Sequence, residues 1–90
     1  MLVQLKWINE LPKEIDASVG KPFFLPCQAS GKPEPKIEWR KLNDSMKSLG
    51  QELRFAVLGE LDSGLYECRA SNGVEQDLIA RVRLNVLGKY

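Results

Sequence analysis

Two cysteines, Cys27 and Cys68, with Trp39 between them, constrain this chain more than any other feature. Around them the sequence falls into roughly seven short runs, with turn signals every 8–12 residues or so, the pattern of a two-sheet sandwich. Residues 3–7 alternate apolar and polar, Pro12 interrupts, and residues 14–19 read as a continuation. Gly20, Lys21 and Pro22 turn the chain into residues 23–29, where positions 23, 25, 27 and 29 share one face. A stiff segment, residues 31–35, leads to Ile37 and Trp39 facing inward, and residues 42–45 form a turn. Residues 46–51 are poorly patterned, consistent with a short edge strand or a loop. The later runs place Leu53, Phe55, Tyr66, Cys68 and Ala70, then Ala80, Val82, Leu84 and Val86, toward one core. No segment sustains a 3.6-residue period beyond two turns, so the chain is all-β. In such a sandwich the two sulfurs meet only if their strands face each other from opposite sheets, with the indole filling the space beside them. The pair is compatible with one disulfide and an oxidising compartment, and equally with two buried thiols.

Ninety residues make a single domain, residues 1–90, with a modest core. A net charge of +1 gives no global field for nucleic acid, and no apolar run approaches the length of a membrane span. Residues 1–6 lack the apolar stretch of a secretory signal, so Met1 reads as the start of a fragment excised from a larger multi-module protein. The chain has no histidine. That removes Ser-His-Asp and Cys-His nucleophiles and the commonest metal ligand. The inventory therefore predicts no enzyme, no cofactor and no metal site.

The Cys27, Trp39 and Cys68 spacing and two further motifs carry a family resemblance. Leu53, Phe55, Leu58, Asp62, Gly64, Tyr66 and Cys68 stand at the spacing of the E–F signature of immunoglobulin domains. Gly31, Pro33, Pro35 and Trp39 resemble the B–C signature of the intermediate, or I-set, class, and the likeness runs from about Pro12 to Val86. It implies an immunoglobulin-like antiparallel sandwich with a Cys27–Cys68 bridge between strands B and F. Closing that loop of about 42 residues is worth about 3.9 kcal/mol on the chain-entropy model. It also implies that Tyr66 forms a tyrosine corner and that Asp62 fastens the E–F turn through backbone N–H groups. Three features depart from the pattern. The Trp39-to-Leu53 interval is short, so a C′ or D strand is expected to be abbreviated. Pro26 lacks a ladder donor and predicts a break or bulge beside Cys27. Asn72-Gly73 replaces the usual F–G turn and reads as a type I′ hairpin.

Two surfaces are candidate binding sites. Glu38, Arg40, Glu67, Arg69, Arg81 and Arg83 alternate outward on the C, F and G runs. They make either a solvated face of ion pairs or a docking face for an acidic protein surface or sulfated glycan. On the other sheet Phe24, Pro26 and Ala56 point outward with Trp7 or Leu5 close by. That patch is either covered by the first strand or a self-association or neighbouring-module contact. Asn43 heads a glycosylation sequon in a turn. Residues 31–42 are similar to domains of contactin-type neural adhesion molecules, and the F–G half to ectodomains of immunoglobulin-bearing receptor kinases and pseudokinases. The resemblance implies protein–protein recognition or spacing at the extracellular side of the cell surface, in adhesion or guidance signalling. The partner would be another immunoglobulin or fibronectin-type module, the same protein on an apposed cell, or matrix. The rival is an intracellular, sarcomeric structural module of the titin and obscurin sort, whose cysteines are often thiols.

Overall fold

A computed structural model describes residues 2–42, 47–49 and 52–88. Nine strands form: β1 Val3–Trp7, β2 Glu14–Ser18, β3 Phe23–Pro26, β4 Ala29–Lys32, β5 Lys36–Lys41, β6 Lys47–Leu49, β7 Glu52–Phe55, β8 Gly64–Ser71 and β9 Leu78–Leu87. One layer is a five-stranded sheet in the order β2-β9-β8-β5-β6. The other consists of two ribbons, β1-β4 and β3-β7.

The break expected at Pro26 is present. What reads as one run at residues 23–29 is two strands, β3 and β4, separated at Cys27 and Gln28. Asn9 spans the gap: its Nδ2 donates to the Pro26 carbonyl at 3.1 Å, and its Oδ1 accepts from the Gln28 N–H at 2.8 Å. Backbone groups released by the proline are thus satisfied by a side chain instead of a ladder, as buried and half-buried amides require.

The first run also divides between layers. β1 is antiparallel to β4, the chain crosses over around Pro12, and β2 joins the other sheet. Because β2 keeps its direction after crossing, it lies parallel to β9, with Glu14 opposite Arg83 and Ser18 opposite Leu87. The antiparallel sandwich thus carries one parallel pairing among the described residues, at the β2 edge. The crossover pins both layers with one segment.

Alternation places Leu25, Cys27, Ile37, Trp39, Leu53, Leu58, Tyr66, Cys68, Ala70, Val82 and Leu84 in a single buried cluster between the layers. Cys27 and Cys68 are disulfide-bonded with their Cα atoms 6.7 Å apart. Trp39 is fully buried and sits beside Cys68 on the neighbouring strand. Among the described residues no D strand appears, and the chain passes from the short edge strand β6 straight to β7 in the other layer.

Candidate functional site

The E–F corner forms as its motif implies. Residues Glu60–Asp62 make one 3₁₀ turn, and the Asp62 carboxylate accepts from the Gly59 N–H at 2.8 Å. The Tyr66 hydroxyl donates to the Asp62 carbonyl at 2.6 Å, and the Phe55 ring meets Tyr66 edge-on at 6.0 Å. Gly64 opens β8 where the Lys41 stem passes over it, so a Cβ there would meet Lys41 Cε at 2.7 Å. Leu53 is buried in β7. These residues build and hold the sandwich. They offer no reactive group.

The charged face is the outer surface of β5, β8 and β9, and register sorts it into rows. Arg40, Glu67 and Arg81 lie abreast, and Glu38, Arg69 and Ile79 form the row beside them. Glu67 shares the outward side but not the exposure: it is 3% exposed, with Arg81 Nε 3.1 Å and Arg69 Nη2 3.8 Å from its carboxylate. Alternation gives the side of a sheet and not the depth. The long arginine stems lie over Glu67 while their guanidinium heads stay in solvent. Glu67 is therefore removed from the accessible binding set. Arg69 also pairs with Asp77 at 3.3 Å. Among the described residues, no ion pair engages Arg40 or Arg83.

Ile79, opposite Arg69 and 47% exposed, adds a large apolar side chain to the second row, beyond the charged positions expected there. The signal was present, since position 79 has the outward parity of Arg81 and Arg83. The F–G connection differs from the two-residue hairpin expected. Asn72 Oδ1 accepts from the Val74 and Glu75 N–H groups, its Nδ2 donates to the Pro33 carbonyl, and strand pairing resumes only at Leu78. Gly73 does adopt the positive φ, +77°, that the turn residue predicts. The asparagine's reach to the Pro33 carbonyl and to two amides favours a longer loop over a tight type I′ turn.

On the opposite layer Phe24 is 52% exposed and Ala56 is exposed, with Pro26 half-buried. Cover by the first strand is not what the structure shows. β1 ends at Trp7 opposite Ala29, alongside β4 and not β3. Trp7 packs against the core, and Leu5 is buried beside Gly31. Both leave the patch. In their place Arg54 stacks over Phe24 at 5.7 Å, and a groove of about 510 Å³ runs along Pro22, Phe23, Phe24, Arg54, Phe55 and Ala56. Asn43 lies outside the described residues. No group of three or more metal-ligating side chains occurs among those described.

Comparison with known proteins agrees with this architecture. A family model described as "Immunoglobulin domain" matches residues 8–72. Contactin-1a of Danio rerio is 39% identical over 66 residues, covering 73% of this chain and 6% of the relative. Limbic system-associated membrane protein of Gallus gallus is 37% identical over 82 residues, covering 88% of this chain and 24% of the relative. The chain thus spans a quarter or less of these relatives. A crystal structure of Dpr11 IG1 bound to DIP-gamma contains a chain with TM-score 0.79 and 30% identity, covering 91% of this chain and 47% of that one. Titin domain M7 superimposes with TM-score 0.81 at 18% identity, covering 98% of each chain, a likeness of fold alone. With the matched model spanning most of its length, and with the bridge, indole and tyrosine corner in place, the chain belongs to the immunoglobulin domain family.

Proposed function

We propose that this chain is a protein–protein recognition module of a cell-surface adhesion or receptor protein. Its docking surface is the outer face of β5, β8 and β9, and its partner is another immunoglobulin or fibronectin-type module. The observation that carries this reading is the make-up of that face. Glu67 anchors Arg69 and Arg81 in fixed positions, while Arg40, Arg83 and the exposed Ile79 stand beside them. An exposed apolar side chain flanked by Arg69 and Arg81, with Glu67 already paired to both, suits a partner surface with an apolar centre and an acidic rim. Similarity to Contactin-1a and Limbic system-associated membrane protein supports the cell-surface setting, and a structural neighbour solved as one immunoglobulin module bound to another supports the class of partner. The disulfide suits an oxidising compartment, the extracellular side.

A multimerised form of the chain, screened against immunoglobulin and fibronectin-type ectodomains, tests the proposal. A binder whose affinity falls at least about tenfold with Arg40→Glu/Arg83→Glu supports it. Absence of any binder, or one indifferent to the double reversal, overturns it. Salt-dependent retention on heparin that the same reversal abolishes would favour a sulfated glycan instead. Against that alternative, two of the four arginines are already held by carboxylates.

A further inference from the structure

We propose that the free edge of β7 forms a two-fold, antiparallel strand contact with a second copy of this chain. Among the described residues β7 pairs only with β3, through Phe23–Phe55, Phe24–Arg54, Leu25–Leu53 and Pro26–Glu52. Among the described residues no strand meets the backbone groups of its other edge, a template for pairing with another chain. β3 is the poorer edge of the ribbon, because Pro26 offers no N–H.

The sequence of β7 selects the occupant. Glu52 and Arg54 lie on the outer face two residues apart, already paired within the strand with Arg54 Nη2 2.6 Å from Glu52 Oε1. An antiparallel strand placed by a two-fold axis at Leu53 sets Leu53 opposite Leu53. It also sets each Glu52 opposite Arg54 of the second copy. The intrachain pair is then replaced by two cross-strand pairs of opposite charge. An axis perpendicular to the sheet keeps the two outer faces on one side, so the sheet continues from one copy into the other. This is charge complementarity of the chain with itself. A four-residue strand edge falls at the low end of interface size, so the association is weak and concentration-dependent. It lies on the layer opposite the arginine face, and neither contact needs the other.

Sedimentation equilibrium on the chain and its charge variants tests the proposal. Wild type is expected to self-associate reversibly below about 1 mM. Glu52→Arg alone sets Arg against Arg, and Arg54→Glu alone sets Glu against Glu, so each single variant is expected to be monomeric. Mixed together, the two variants restore both opposite-charge pairs and are expected to associate, which also shows that both are folded. Arg83→Glu on the other layer leaves β7 unchanged and is expected to self-associate like wild type. A wild-type chain that stays monomeric throughout overturns the proposal. So do single β7 variants that still self-associate, a complementary mixture that does not associate, or an Arg83→Glu chain that stays monomeric.

Discussion

At the scale of single residues, Asn9 has a larger structural role than its position in a linker suggests. Its amide serves the Pro26 carbonyl on one side of Cys27 and the Gln28 N–H on the other. Asn9→Ala leaves both without that partner, and we expect a loss of about 1–3 kcal/mol in urea-unfolding stability. An unchanged midpoint would show that solvent replaces the side chain at no cost. Asn9 was not legible in the sequence, because its task is created by a proline on another strand. Tyr66 and Asp62 were legible, because both ends of their hydrogen bond lie within one short motif. Glu67 shows the intermediate case. Its side of the sheet followed from alternation, but its burial depended on which way the Arg69 and Arg81 side chains lie.

Among the elements, β1 is held to the body of the domain at few points. Its register slips between Val3 and Lys6, and the Leu5 N–H is taken up by the Glu75 carboxylate from the F–G loop at 2.7 Å. Gly31 lets the two backbones approach: a Cβ there would meet Leu5 Cδ2 at 2.8 Å and the Val3 carbonyl at 3.2 Å. Gly31→Val is therefore expected to push β1 off β4 and cost about 1–3 kcal/mol. Hydrogen exchange should quicken at β1 amides and not at β8; uniform exchange across both would contradict this. The strand itself was readable from its alternation, and so was its interruption at Pro12. Its bulge, and the carboxylate that fills it, depend on a loop about 70 residues away in sequence, which no local pattern encodes.

For the molecule as a whole, the bridge between layers is the largest single constraint on the unfolded chain. Cys27→Ala/Cys68→Ala is expected to lower stability by about 2–5 kcal/mol, read from denaturant midpoints with and without reductant. Denatured, non-reduced protein should show no titratable thiol at either position; two reactive thiols would favour the intracellular alternative. The sandwich and its core were readable because the Cys, Trp and Tyr signature fixes three strands against one another in two layers. Partner choice was not, since it rests on exposure and pairing across strands, as at Ile79 and Arg40, and neither is a property of sequence order.

The parallel alignment of β2 with β9 bears on how this domain carries load. The strand near the start of the chain and the strand that ends the sandwich run side by side in one direction, so their outer ends emerge at opposite poles. Tension drawn through those ends slides one strand along the other. The hydrogen bonds between Glu14–Ser18 and the end of β9 are then stressed together, where a hairpin would unzip one rung at a time. Resistance to such traction is set by the rate of unfolding and not by equilibrium stability. A module tethered at both poles would yield late.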